Sequence, residues 1–361
     1  VTGLILSAPH EQERSAQARR FCSEFCGKND RPKFVLGRNV YVEGIVKSAD
    51  VEGIIDDYTA EKTFLGLPVF KTAEIPRDAM VVAAAGGRPL TAKRNLEEAG
   101  FECLDYFSFH RWSGLPLTEV VFNEGFADDF HAQRSEYEWI YDRLHDQASK
   151  DIFSKLVSFR LKYDLALLDG FKPMEDVQYF EDFLKLAPDG ETFVDVGGFD
   201  GFTSREFIKR CPDYRAVHVF EPEPTNYQLC KAKLLAFDNV HVYQMGLSDA
   251  KRRLHLSARG SASKISEHGG TAISVDRLDD VLADRSTFMK MDIEGAEAAA
   301  IEGARSTIGR DGPRLAISVY HNAGDFWRIP RQILSIRDDY MVMLRHYTES
   351  IYETVMFFCR P

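Results

Sequence analysis

One stretch restricts the possible folds of this chain more than any other. Residues 192–204 read Thr-Phe-Val-Asp-Val-Gly-Gly-Phe-Asp-Gly-Phe-Thr-Ser. An apolar run this short, bounded by glycines, predicts a buried strand over Phe193–Val196, and a helix is expected from about Thr203. Glycine in such a turn lets the backbone approach a ligand closely, and the helix start beyond it offers unpaired N–H groups. Asp195, Gly197, Gly198, Asp200, Gly201, Thr203 and Ser204 are therefore candidate cofactor-binding residues. The spacing is not G-x-G-x-x-G, and by itself the loop also fits an ordinary strand–helix turn.

The next elements narrow the choice. Ala216–Phe220 reads as a second buried strand ending at Glu221-Pro222. A carboxylate at that tip suits a ribose diol, because it accepts from both hydroxyls, at about 1.5–3 kcal/mol per charge-assisted bond. A third strand, Val240–Met245, leads to Ser248 and Asp249 at what should be the same sheet edge, where an adenine amino group can be held. A fourth, Thr287–Asp292, is followed by Glu294, and a fifth, Arg314–Tyr320, delivers His321. Two apolar runs, Tyr340–Tyr347 and Thr354–Cys359, close the chain as a hairpin. A dinucleotide dehydrogenase would continue with parallel units, whereas five parallel strands plus a terminal antiparallel hairpin typify S-adenosylmethionine-dependent methyltransferases. Ligands on such sheets bind at the carboxyl ends of the strands, where Asp195, Glu221, Asp249, Asp292 and His321 are all expected.

Ahead of this lies a different pattern. Residues 1–30 are polar and helix-prone and read as a helical arm. In residues 31–112 short strands (Lys33–Gly37, Val51–Asp57, Val69-Phe70, Ala79–Gly87, Phe101–Phe109) alternate with helices over Val40–Ala49 and Leu90–Ala99. This is a small Rossmann-like α/β unit without the glycine fingerprint, since Gly37-Arg38-Asn39 is a one-glycine turn. Residues 113–185 read as a helical connector, with Ile140, Leu144, Ile152, Leu156 and Phe159 at helical spacing. Residues 186–361 form the last domain. The expected architecture is mixed α/β, a class I methyltransferase Rossmann-like sheet behind a smaller α/β unit.

Charge and cysteine usage exclude other classes. With Lys plus Arg at 45 against 56 Asp plus Glu, the chain carries −11 and lacks the basic balance of a duplex nucleic-acid binder. No apolar run approaches the 18 residues of a membrane span, and Val1–Leu6 lacks the basic start of a leader. Six scattered cysteines without a C-x-x-C pair fit free thiols in a reducing compartment, so a cytoplasmic location is expected.

Residues 178–361 resemble the FkbM family of methyltransferases. The matching segments are Gln178-Tyr-Phe, Val194-Asp-Val-Gly-Gly-Phe-Asp-Gly, Phe220-Glu-Pro-Glu-Pro and Met289-Lys-Met-Asp-Ile-Glu-Gly-Ala-Glu. Ser-Val-Tyr-His321, Arg345-His-Tyr and Glu353-Thr-Val also fit. Gly198 departs from the alanine of many members. The resemblance implies S-adenosyl-L-methionine as cofactor, S-adenosyl-L-homocysteine as product, and O-methylation of a sugar, glycan, glycolipid or secondary-metabolite hydroxyl, as in polysaccharide biosynthesis. An alcohol nucleophile benefits from a base, and His321 is the first candidate, with Asp292 and Glu294 beside it. Trp327, Arg345 and His346 are candidate substrate contacts: Arg345 and His346 read as substrate-side groups ahead of burial in the hairpin, and Trp327 suits stacking on a sugar ring and packing equally. Asp292, Glu294, His321, His346 and Glu353 have the side-chain types of a divalent-ion site, but they come from separate strand ends and no metal is expected. Two other readings stay open: a non-catalytic binding or assembly protein on the same fold, and a nicotinamide-dependent sugar oxidoreductase.

Overall fold

The structure, a computed structural model, describes residues 3–174, 176–259, 262–266 and 270–360, so the first two residues of the segment read for a leader lie outside it. The chain divides into two units. Unit 1 comprises Val1–Asp128, Phe153–Pro173 and Thr348–Tyr352, and unit 2 comprises Asp129–Ile152, Met174–Tyr347 and Glu353–Pro361.

Unit 1 begins with α1 (Glu11–Cys26), which buries Phe21, Cys22 and Phe25. Its sheet holds β1 (Lys33–Leu36), β2 (Gly53–Ile55), β3 (Thr63–Phe64), β4 (Leu67–Phe70), β5 (Met80–Ala83) and β6 (Glu102–Asp105) in the order β3-β4-β2-β1-β5-β6. All pairs are parallel except the β3–β4 hairpin. Helices α2 (Val40–Ser48), α3 (Pro89–Glu98) and α4 (Tyr106–Trp112) complete it. The strand expected over Phe101–Phe109 is a correction: it stops at Asp105, whose carboxylate accepts from the Ser108 N–H at 2.9 Å and caps α4. An apolar-aromatic run does not separate strand from helix, but the capping aspartate does. The N-terminus of α3 is filled by Glu349, which accepts from Thr91 N at 2.8 Å and Thr91 Oγ1 at 2.7 Å. A carboxylate thus sits where helix polarity would favour an anion.

Three helices follow, α5 (Phe126–Ala132), α6 (Arg134–Arg143) and α7 (Gln147–Lys162). The main sheet of unit 2 then starts with β7 (Thr192–Val196), α8 (Phe202–Arg210), β8 (Ala216–Phe220), α9 (Pro224–Leu234) and β9 (Val240–Tyr243). Next come β10 (Gly246–Leu247), β11 (Arg252–Arg259), β12 (Ala262–Ser266), β13 (Thr271–Asp276) and α10 (Leu278–Val281). The last elements are β14 (Phe288–Met291), α11 (Glu297–Gly303), α12 (Arg305–Asp311), β15 (Arg314–Ser318), α13 (Asp325–Ile336), β16 (Met341–His346) and β17 (Thr354–Cys359).

The seven-stranded sheet runs β16-β17-β15-β14-β7-β8-β9. Five strands are parallel, and β17 is antiparallel to both β15 and β16. The expected five-plus-hairpin architecture is therefore present. Phe193, Phe207 and Phe288 stack beneath it, with ring centroids of Phe193 4.5 Å from Phe207 and 4.9 Å from Phe288. A four-stranded sheet, β10-β13-β11-β12, has no counterpart in the sequence reading.

Candidate active site

The site grows from the carboxyl ends of β7, β8, β14 and β15. In register, Asp195 on β7 lies beside Lys290 on β14, and both are buried. Lys290 Nζ is 3.2 Å from Asp195 Oδ1 and donates to Gly197 O at 2.6 Å, while Ser204 Oγ donates to Asp195 Oδ2 at 2.7 Å. This chain of contacts ties the strand, the glycine loop and the first turn of α8 together. The backbone here is closely packed. A Cβ on Gly197, which has φ +82°, would lie 2.1 Å from Asp292 O, and one on Gly198 would lie 2.2 Å from Val219 Cγ1. Neither neighbour can yield cheaply, so in this chain the glycine at 198 is a packing requirement rather than a neutral departure.

At the tip of β8, Glu221 Oε2 accepts from Phe199 N at 2.8 Å and Oε1 from Glu223 N at 2.9 Å. Burial pushes this carboxyl up, and the two backbone donors pull against that shift. Each oxygen keeps lone-pair capacity, and their direction is fixed by the loop.

Past β14 and β15 the acidic groups converge on one imidazole. His321 Nδ1 is 3.0 Å from Glu297 Oε1, and Nε2 is 3.4 Å from Asp292 Oδ1 and 3.9 Å from Glu294 Oε2. Glu297 Oε1 also accepts from Ile293 N at 2.8 Å, and Asp292 Oδ2 accepts the Tyr179 hydroxyl at 2.5 Å. Tyr320 OH lies 3.5 Å from Asp292 Oδ1. Burial of the ring opposes its charge, but Glu297, then Asp292 and Glu294, outweigh that effect and push His321 up to about 10. Burial pushes Glu294 up to about 7, with His321 opposing and Asp292 and Glu297 adding to the rise. Glu294 is also the most open of the four, with its side chain 37% exposed against 1% for His321 and Glu297.

Residues 195–351 match the model of the methyltransferase FkbM domain. Residues 195–351 are an FkbM methyltransferase domain. Among solved structures the chain is similar to methyltransferase FkbM from Methylobacillus flagellatus KT, with a TM-score of 0.76 and 24% identity over 95% of this chain and 93% of that one. This likeness extends the shared fold to unit 1. An rRNA methylase from Streptococcus thermophilus is similar over 50% of this chain and 93% of that one, at 16% identity and a TM-score of 0.35. Aeropyrum pernix fibrillarin, in complex with natively bound S-adenosyl-L-methionine, covers 47% of this chain and 67% of its own, at 12% identity and a TM-score of 0.32. No curated protein matches the chain.

Within the FkbM domain the sequence-derived residues fall into three groups. Asp195, Gly197, Gly198, Ser204 and Glu221 are joined around the loop as described, and Asp292, Glu294 and His321 form the second cluster. Asp200 and Thr203 flank the loop: Asp200 pairs with Lys233 and accepts from Phe202 N at 3.0 Å, and Thr203 is in the first turn of α8. Gly201 starts that helix and Pro222 follows Glu221. Ser248 and Asp249 come just after β10: the third strand is shorter than expected and ends at Tyr243, and Gly246 pairs with Val275 while a Cβ on it would lie 3.6 Å from Pro222 Cγ. There Ser248 N donates to Asp276 O at 2.9 Å and Asp249 pairs with Arg252 at 2.6 Å.

The expected substrate contacts are engaged within the fold. Trp327 Nε1 donates to Asp129 Oδ2 at 3.0 Å, and Arg345 Nη2 donates to Asp146 Oδ2 at 2.9 Å. His346 Nδ1 lies 2.9 Å from Thr354 Oγ1. Three contributors carried no role in the sequence reading: Lys290, Glu297 and Tyr179. All three stand inside the segments that carry the FkbM resemblance, and a buried lysine within the apolar Met289–Met291 run was the available signal.

A cavity of about 830 Å³ lies in unit 1, lined by residues of α1, α3, α4 and 162–173, and none of the site residues lines it. Among the described residues no helix is long and apolar enough to cross a membrane, and none of the six cysteines forms a disulfide.

Proposed function

We propose that the chain is an S-adenosylmethionine-dependent O-methyltransferase acting on a hydroxyl of a sugar, glycan or related secondary metabolite. The observation that carries this reading is the junction at Asp292: its carbonyl abuts Gly197 of the glycine loop, and its side chain opens the Glu294–His321–Glu297 cluster. A methyl donor held by the loop therefore faces groups that bind a hydroxyl.

The donor set suits the cofactor. Glu221 presents two fixed oxygens for a ribose diol, and the acid-lined cleft suits a cation. Bound there, S-adenosylmethionine supplies a methyl group already activated on a sulfonium. The protein's task is then chiefly positioning, worth about 7–11 kcal/mol of barrier in favourable cases. Tyr179 holds Asp292 and Glu297 holds His321, so the pair presents an invariant face to the acceptor hydroxyl. The sequence pointed to His321 as the base. Both ring nitrogens face carboxylates, however, and the ring is held protonated near neutral pH, so it orients and does not accept. Glu294, the exposed member, takes the proton in this reading.

The test is methyl transfer from radiolabelled S-adenosylmethionine to a panel of sugars, nucleotide sugars and oligosaccharides. Base-stable ether label on a sugar oxygen is expected. Label recovered only as ester or on nitrogen would contradict the assignment.

A further inference from the structure

We propose that the cavity of unit 1 binds a sugar-linked phosphate, presented as a free sugar phosphate or as a nucleoside diphosphate sugar. None of the cofactor or acceptor residues lines this cavity, so the inference stands apart from the methyltransferase reading. Its volume of about 830 Å³ falls within the roughly 300–1,000 Å³ of ordinary small-molecule sites. Every residue that lines it belongs to unit 1.

The charges around the cavity are unevenly committed. Its lining holds one more basic than acidic side chain, within a chain of net charge −11. The acids are engaged. Glu102 pairs with Arg31 at 2.6 Å, Asp164 with Arg14 at 2.6 Å, and Glu97 with Lys93. Asp105 and Glu349 are buried and cap α4 and α3, and Asp169 adds to the negative charge around Arg14. Several of the cations are free. Arg20, Arg94 and Lys172 are exposed on the lining and have no ion-pair or hydrogen-bond partner among the described residues.

A fourth cation of the lining gives an independent reason. Arg111 and Arg19 both hold their guanidinium groups over the Trp112 ring, 4.7 and 4.0 Å from its centroid. Among the described residues neither pairs with a carboxylate, and Arg111 donates to the Lys162 carbonyl instead. Desolvation presses the Arg111 guanidinium down, and the charge of Arg19 adds to this while Glu11 and Asp164 oppose it. An anion in the cavity relieves that repulsion. Arginines in a concave site suit phosphate, which brings about two negative charges in either form and accepts paired N–H donors. Trp112 and Phe171 supply ring surface, and Ser15 and Gln17 supply hydrogen-bonding groups without partners among the described residues. That mixture suits a hydroxylated ring attached to the phosphate.

The test is calorimetric titration of the full chain with glucose 1-phosphate and with UDP-glucose, with glucose and inorganic pyrophosphate as the separate halves of that chemistry. Saturable binding of at least one sugar phosphate is expected, one molecule per chain, tighter than either half and weakened by added salt. Arg94→Gln and Lys172→Gln should each weaken it about tenfold. Lys28→Gln, an equal loss of charge at an exposed position off the cavity, should leave it unchanged. All three substitutions are at exposed positions, and an unchanged circular dichroism spectrum shows that each variant is folded. Binding of glucose 1-phosphate supports the free form as ligand, and binding of UDP-glucose alone supports the nucleotide-linked form. A sugar phosphate bound in the acceptor site would be indifferent to Arg94→Gln and Lys172→Gln, and that result would overturn the proposal. So would an equal loss in all three variants, pyrophosphate binding as tightly as the sugar phosphates, or no saturable binding of either up to millimolar concentration.

Discussion

Lys290 shows how much one side chain carries in this site. Its ammonium lies in the sheet interior against Asp195 and two loop carbonyls, so both charges are out of water and depend on each other. Removing one partner of such a pair leaves an uncompensated buried charge, at a cost of roughly 3–5 kcal/mol. Lys290→Met should therefore lower the urea unfolding free energy by about that amount, and Asp195→Leu combined with Lys290→Met should recover much of it. A loss below about 1 kcal/mol would mean that Asp195 is hydrated. Glu221, Asp292 and His321 were legible as residues because acids and a histidine at strand ends are conspicuous. Lys290 and Glu297 were not, because their roles come from strand register and from the turn at Gly295, which bring together groups distant from their partners in sequence.

Elements were legible where periodicity and punctuation agreed. In the methyltransferase sheet β7 runs into Gly197, β8 into Glu221 and β14 into Asp292, β15 follows Pro313 and β17 follows Glu353, and these strands appear close to the expected positions. The break after Tyr243 was hidden because no glycine or proline interrupts Val240–Met245, and only pairing of Gly246 with Val275 redirects the chain. Strand β13 buries only Ile273, Val275 and Asp276, too short an apolar pattern to give a core signal. Strand β16 also explains Arg345. Its guanidinium donates to Asp146, as does Ser149 N at 2.6 Å, and although burial pushes Asp146 up, the hydrogen bonds from Arg345 and Ser149 prevail and hold it down at about 2. With an unfolded value near 3.9, the pair stabilises the fold fully above about pH 4, and the contribution is lost as pH falls toward 2. Arg345→Met should thus be less stable than the parent at pH 6, with the gap closing between pH 4 and 2.5 in urea titrations. A gap independent of pH would show that Arg345 acts through packing over Phe183 alone.

At the scale of the molecule, the units are interleaved in sequence. The chain passes between them at residues 128–129, 152–153, 173–174, 347–348 and 352–353. The turn of the methyltransferase hairpin, Thr348–Tyr352, belongs to unit 1, where Glu349 caps α3 and Ser350 Oγ donates to Gly86 O at 2.6 Å. No local sequence pattern announces such threading, since a hairpin loop reads as solvent-exposed by default. Because neither unit is a single continuous segment, urea unfolding followed by tryptophan fluorescence and by far-ultraviolet circular dichroism should give coincident transitions. Two separated transitions would show independent units. The central claim concerns the cofactor, and calorimetric titration of the full chain with S-adenosylhomocysteine, repeated on Glu221→Gln, tests it most directly. The account predicts saturable binding of one molecule per chain, weakened at least tenfold in the variant. No binding heat in the parent across several temperatures, or equal affinity in the two proteins, would contradict it.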